Sequence, residues 1–567
     1  GFFLGGIGPD GHIAFNTRGT DLYSTTRLTH TNFETQAVAA GDLWGIEISR
    51  SRLVITIGLE TITYNPDAAA IIFAAGEAKA GVIRDALENE IDTLYPATVL
   101  QRIDNSMFFL TRGAASKLID IKDHYFTSGE WTDQKSERAI IDLCSSLERY
   151  AFNLSLDDLK NDRYCKKIPG LSLESVNRVI ESVKNKIISG SVREVNSTIY
   201  HTGPHHDDIM LGILPKCIRQ VRTPGNNVHF SVLTSGFTAV TNHYIEKILL
   251  DTLKFLNEGQ VQMIFYHDFF EEGYLFKWYK DVYHYLDATA QKSERSMRRG
   301  VCHRAVRAIT GIYGVKSKAG LIETITVILS ELRGSYAGAK NSPGLQKLKG
   351  MMREYEEELV WAHFGVPLRN IHHLRLGFYK GDVFTEQPEK ERDIIPVLEE
   401  FRKYKPCIIS LALDPEGSGP DTHYKVLQTI AAAVKEWGKE EDISSLKILG
   451  YRNVWYRFHP SEANTIIPVS LNSLSVLGNS FESCYGSQVN ASFPSYEYDG
   501  KFSDLTARVW VEQLKLIQLV LGKDFFYEND HPMLRATHGL IFAREMSAPE
   551  FMQMAEEMEH AMEGLLF

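Results

Sequence analysis

Apolar and polar positions along this chain fall into short β-type runs that hand over to helix-type periodicity, the pattern expected of an α/β protein. Near the amino terminus, Arg52–Leu59 and Ala68–Gly76 read as strands with their turns, and the second passes into a helix carrying Val82, Ile83, Ala86 and Leu87. Residues 116–195 change character, since Ser136–Glu148 and Leu173–Ile180 place apolar residues at helical spacing, with Pro169-Gly170 breaking the run. Ser197–Thr202 then predicts a strand, Ile209–Leu214 an apolar helix, and Val228–Thr234 a second strand closed by Ser235-Gly236, which together make a βαβ unit. From about 268 to 350 the chain turns aromatic and then basic. Tyr274, Phe276, Trp278, Tyr279, Tyr283 and Tyr285 recur at helical spacing and read as core of a helical insertion. The arginines that follow, from Arg295 to Arg307, form either a solvated face or a phosphate-recognising rim. Cys407–Leu413 reads as a further buried strand.

Chemistry concentrates where strands hand over to helices. In Gly203-Pro204-His205-His206-Asp207-Asp208, His205 and Asp208 lie three positions apart on such a turn, so that both can reach one metal ion, and Asp207 between them is left to act as a base. Ligand sites of open α/β sheets lie at this edge. Imidazole and carboxylate suit Zn²⁺, which at catalytic sites takes three protein ligands and keeps one open position. The third candidate is His423, in the helix that follows Cys407–Leu413 and the Gly/Pro-rich segment 414–421. On these residues the segment from about 196 to 470 resembles the PIG-L-type zinc-dependent N-acetylglucosaminyl deacetylases. The resemblance implies that His205, Asp208 and His423 are metal ligands and Asp207 a general base. The family's Pro and Glu of the first motif are His206 and Ile209 here, and Thr422 stands before the ligand in the second, whose leading His is missing. His459 is a candidate to replace it.

A second signal opens the chain. Four glycines between Leu4 and His12 let backbone amides approach a polar ligand, and they hold Asp10 and His12 in a tight loop. A carboxylate and an imidazole two residues apart make a proton-relay pair suited to sugar-ring chemistry. Lys79, at the start of the next helix, is placed to meet a phosphate. Over positions 1 to about 115 the chain resembles glucosamine-6-phosphate deaminase of the aldose–ketose isomerase type. The resemblance implies that Asp10 and His12 open the pyranose ring and Lys79 binds its phosphate. Thr17 stands where that family has a Glu, and Gly41 where it has an Arg. The family's earlier, enolising half has no counterpart in these residues, which leads to the expectation of a truncated chain that does not complete deamination alone.

The expected architecture is α/β, with Rossmann-like parallel sheets in two domains. A deaminase-like part covers 1–118, a helical linker 119–195, and a deacetylase-like part 196–567, with the helical insertion at about 268–350. Composition fits a globular chain of 567 residues, 44% hydrophobic and 23% charged. A net charge of −11 argues against nucleic-acid partners and adhesion to an acidic membrane. Six cysteines without a Cys-x-x-Cys pair point to a reducing cytoplasm. The two resemblances converge on amino-sugar metabolism. They set the expectation of a bifunctional, zinc-dependent hydrolase acting on an amino-sugar or sugar-phosphate substrate, with a homo-oligomer left open; a catalytically impaired sugar-phosphate-binding regulator is the competing expectation.

Overall fold

The structure, a computed structural model, describes residues 1–8, 10–30, 53–76, 79–335, 339–381, 386–414, 421–452, 457–489 and 500–563. Gly41 therefore lies outside the described residues. In chain order, β1 (Phe2–Gly6), β2 (Arg27–His30), β3 (Leu53–Thr56), β4 (Ala69–Ala74) and β5 (Asn105–Leu110) make up the amino-terminal strands. β1, β4 and β5 form a parallel sheet in that order, while β2 and β3 pair as an antiparallel ribbon. Helix Ala80–Glu88 turns Val82, Ile83 and Ala86 onto Ala70 and Ile72 of β4, which gives this part a small core of its own.

The remaining strands build a second, larger sheet. They are β6 (Thr198–Gly203), β7 (Asn227–Val232), β8 (Ile371–His373), β9 (Ile408–Ala412), β10 (Lys447–Tyr451), β11 (Thr465–Ser470) and β12 (Thr537–Ser547). Their order is β11-β12-β10-β9-β6-β7-β8. β10, β9, β6, β7 and β8 run parallel, whereas β12 is antiparallel to both β10 and β11. The expectation of parallel sheets throughout is corrected here. A strand buried on both faces reads as a continuous apolar run in either direction, so the pattern carries no polarity.

Alternation along each central strand divides the interior into two cores. Ile199 and Ile408 face one side, with helices Asp208–Arg222, Asn242–Asn257 and Pro343–His363. Tyr200 and Ile409 face the other, with helices Asp133–Leu147, Leu173–Ser191, Ile395–Tyr404 and Asp421–Trp437. The helices of 119–195 thus join the core of the larger sheet.

Within 268–350 the described residues carry helices Lys280–Ala290, Glu294–Tyr313 and Lys318–Gly334, and the aromatic residues read as core are mostly outside it. Helix Lys280–Ala290 buries the stripe Val282, Tyr285 and Ala288, which leaves Tyr283 exposed, as are Phe276 and Tyr279 in the turns before it. The inner arginines form no rim. Arg304 donates to Glu358 at 2.7 Å and Arg307 to Asp281 at 2.8 Å, so they neutralise carboxylates inside the helical layer. No helix among the described residues is long and apolar enough to cross a membrane.

Candidate functional site

β6 and β9 are neighbours, and the segments leaving their carboxyl ends bring His205, Asp208 and His423 together. Gly203 ends β6 where a Cβ would stand 2.9 Å from the His205 carbonyl and 3.0 Å from Ile209, so only glycine permits this tight turn. Asp208 opens the helix, and its Oδ2 accepts a hydrogen bond from the His205 backbone N at 2.7 Å. Ile209 is buried in the core just behind.

The three candidate ligand atoms form a nearly equilateral triangle. His205 Nδ1 lies 3.1 Å from His423 Nε2 and 3.4 Å from Asp208 Oδ2, and His423 Nε2 lies 3.3 Å from the same Oδ2. Ligands about 2.0–2.1 Å from a tetrahedral zinc are separated by about 3.3 Å, so the donor set fits this ion in type and spacing. His423 Nδ1 is bonded to Asp414 at the end of β9, which orients Nε2 into the triangle. Burial works against a charged His423, but Asp208 and Asp414 outweigh it and push its pKa up to about 10. Asp208 shows the counterpart: burial raises its pKa, and the charge of His423 with the bonds from both imidazoles holds it well below the usual carboxylate range.

Asp207, next to Asp208 in the chain, is held by Arg353, whose Nη2 donates to Oδ1 at 3.2 Å. Arg353 is itself buried and also faces Glu356 at 3.5 Å. The guanidinium thereby orients the Asp207 carboxylate. His206 turns inward, stacked at 5.8 Å on His373, and burial followed by the charge of Arg353 drives its pKa well below the ordinary histidine value. His459 does not replace the missing histidine of the second motif. It is bonded to Ser461 at 2.7 Å and to Asp142 at 3.2 Å, on helix Asp133–Leu147. Sequence reasoning missed Asp414, Arg353 and the residues behind Arg353. Asp414 carried a usable signal, being an acidic residue at the end of the strand that precedes a candidate ligand.

In the amino-terminal part, His12 Nδ1 is directly bonded to Asp10. Gly8 is required for this, because a Cβ there would sit 2.0 Å from the His12 ring. Burial raises the Asp10 pKa, but the bond to His12 and its charge prevail and leave the carboxyl below its ordinary value. Arg18 Nε donates to the Asp10 carbonyl at 3.1 Å. Lys79 immediately precedes helix Ala80–Glu88, and its Nζ donates to the Ile7 carbonyl at 2.7 Å. Burial lowers its pKa to about 8 against the pull of Asp10, whose charge it feels. Asp10, His12 and Lys79 are therefore gathered around one glycine loop. Thr17 offers no carboxylate there.

No protein-family model matches the chain. A glucosamine-6-phosphate deaminase-like protein of Bacteroides thetaiotaomicron is 24% identical over 499 residues, covering 84% of this chain and 66% of that protein. Glucosamine-6-phosphate deaminase of Borrelia hermsii is 32% identical over 117 residues, 20% of this chain and 43% of the enzyme. The solved structure of a monomeric glucosamine-6-phosphate deaminase of the NagB superfamily shares 31% identity over 20% of this chain and 47% of its own, with a TM-score of 0.19. The chain thus spans less than two thirds of the length of these relatives. A fusion with a PIG-L-type deacetylase is not among these findings. The expected hydrolase class is overturned, because the similar enzymes are deaminases of the isomerase type and not hydrolases. Over much of its length this chain is thus similar to one glucosamine-6-phosphate deaminase-like protein, and over about a fifth of it to glucosamine-6-phosphate deaminases.

Proposed function

We propose that this chain serves amino-sugar metabolism through two centres. One is a sugar-phosphate site at Asp10, His12 and Lys79, and the other a divalent-metal site, with zinc the best-fitting ion, at His205, Asp208 and His423. The observation that carries the metal reading is the triangle of donor atoms at 3.1, 3.3 and 3.4 Å, its edges matching those of a tetrahedral zinc site. A bound divalent cation supplies Lewis-acid polarisation of a ligand oxygen. Asp207, fixed by Arg353, would accept the proton of a hydroxyl or water beside it. At the amino-terminal centre, ionised Asp10 fixes the tautomer that carries the proton on His12 Nδ1, leaving Nε2 to exchange a proton with a sugar oxygen. Lys79 would meet the phosphate. Deaminase-type chemistry at this centre is supported by the homology and by the arrangement of these three residues.

The two centres are tested separately. Elemental analysis after zinc loading should give about one zinc per wild-type chain and none in a His205→Ala/His423→Ala variant. Equal zinc in both would remove the metal reading. Calorimetric titration with glucosamine 6-phosphate should give binding that Lys79→Met abolishes. Binding of equal strength by that variant would remove the sugar-phosphate reading.

A further inference from the structure

Behind the metal loop, one hydroxyl is shared by two acceptors. Tyr485, fully buried after helix Leu471–Cys484, directs its phenolic oxygen at the backbone carbonyl of His206, the residue between the first proposed ligand and the proposed base. The same oxygen lies 2.5 Å from Glu357 Oε2. Glu357, also fully buried, stands on helix Pro343–His363, and its other oxygen accepts from Trp361 Nε1 at 2.5 Å. A carbonyl oxygen has no proton to give, and a tyrosine hydroxyl has one. With Glu357 ionised, one of the two contacts of Tyr485 would set lone pair against lone pair in a dry interior, where no water relieves the repulsion. A second proton resolves the arrangement only if it sits on Glu357 Oε2. The chain then runs in one direction: the Glu357 carboxylic acid donates to Tyr485, and Tyr485 donates to the His206 carbonyl.

We propose that Glu357 is a positioning residue held as a neutral carboxylic acid, which through Tyr485 clamps the His206 carbonyl and so sets the loop that carries His205, Asp207 and Asp208. The inference rests on the metal reading above for its purpose but not for its proton count. Burial independently favours the neutral form and raises the Glu357 pKa to about 8, the bonds that Tyr485 and Trp361 could give to an ionised carboxylate offsetting it only in part. Helix Pro343–His363 thereby grips the loop twice: Arg353 holds the side chain of Asp207, and Glu357, one turn later, holds the backbone beside it. The second grip gives a buried acid at position 357 a use that an apolar residue could not serve.

Infrared spectra and zinc titrations on the whole chain test the proposal. Wild type should show the C=O stretch of a protonated carboxylic acid, shifted in D₂O and absent from Glu357→Gln. Absence of that band from wild type would overturn the inference whatever the protein does with metal. Glu357→Gln keeps a donor towards Tyr485 and an acceptor for Trp361, so it should hold zinc within a factor of about three of wild type, whereas Tyr485→Phe should lose about 10- to 100-fold, the scale of outer-shell partners. Unchanged affinity in Tyr485→Phe would overturn the positioning role. Wild type that shows the band yet takes no zinc would remove the metal reading, and the positioning role with it, while leaving the proton assignment in place. Melting curves of both variants separate these outcomes from failure to fold.

Discussion

Replacing Asp208 by Asn changes one atom and one charge, and it discriminates sharply between a metal centre and a coincidence of polar side chains. In the metal-free chain Asp208 Oδ2 lies 3.3 Å from His423 Nε2. At an effective dielectric of about 20, unit charges at that separation attract by roughly 5 kcal/mol. The attraction is present before metal arrives, since His423 is held protonated up to about pH 10 by Asp208 and Asp414 despite its burial. Zinc must displace that proton, and Asp208 has favoured the proton as well as the metal. Only the excess charge of a dication over a proton counts, and part of it is recovered by the Asn carbonyl, so about 3 kcal/mol is the expected net loss. Zinc affinity in Asp208→Asn should therefore fall by a factor of about a hundred or more. Asp414→Asn loosens the orientation of the His423 ring but also removes one of the charges that hold its proton, so it should lose no more than about 10- to 100-fold. Competition with a chromophoric chelator near neutral pH measures both. Zinc at a hundred times its Kd should also stabilise wild type by about 2.7 kcal/mol, visible as a rise in melting temperature that Asp208→Asn lacks. Affinity of Asp208→Asn within a factor of about three of wild type would refute the reasoning.

Three further outcomes follow from groups already described. Lys79 has its pKa lowered from 10.5 to about 8, so the unfolded chain holds a proton there that the folded chain releases between these values. Stability from this group should rise with pH across that window, whereas glucosamine 6-phosphate binding should weaken above about pH 8; calorimetry that shows constant affinity from neutral to strongly alkaline pH would exclude Lys79 as the phosphate ligand. Gly8→Ala would drive a methyl group into the His12 ring and should cost about 1–3 kcal/mol together with sugar-phosphate binding, checked by melting and titration; an unaltered melting curve would contradict the packing. Burial would raise the Asp142 pKa, but His459 and then Lys122 hold it at about 2, so their contribution is full near neutral pH and fades as acid titrates the carboxylate. His459→Ala should therefore cost about 1 kcal/mol near neutral pH, lose that cost in acid, and leave zinc content unchanged; loss of zinc would place His459 at the metal centre after all.

The parts of the site that were legible in the sequence are those written locally. His205 and Asp208 share one turn between a strand and a helix, and His423 follows the next parallel strand, so the rule that sites collect at strand carboxyl ends was enough to bring them together. Asp10 and His12 are two residues apart in one loop. Arg353, Glu357 and Tyr485 were not legible as site residues, because each reaches the loop from a helix or turn far along the chain, and only packing decides which side chains such an element aims inward. The insertion shows the same limit from the other side. Helical spacing of aromatics was present, but the neighbours took the Val282–Tyr285 stripe and left Tyr283 in solvent. Strand β12 lacked any cue to its direction, since its burial on both faces is shared with the parallel strands beside it.

The lengths of the likenesses bear on where each centre comes from. His205 and His423 stand farther apart along the chain than the 117 residues matched to the Borrelia deaminase, so that match cannot contain the metal triangle. A likeness covering 84% of the chain leaves too few residues at either end to avoid it, so the long Bacteroides protein is aligned across His205, Asp208 and His423. The short match to the Borrelia enzyme consequently gives no warrant for what happens at the proposed metal site. The two centres also lie on separate sheets with separate cores, β1-β4-β5 on the one hand and the seven-stranded sheet on the other. Removing a metal from the proposed site should therefore leave the Asp10–His12 couple intact, and the same titration of glucosamine 6-phosphate with and without zinc measures any coupling between the two.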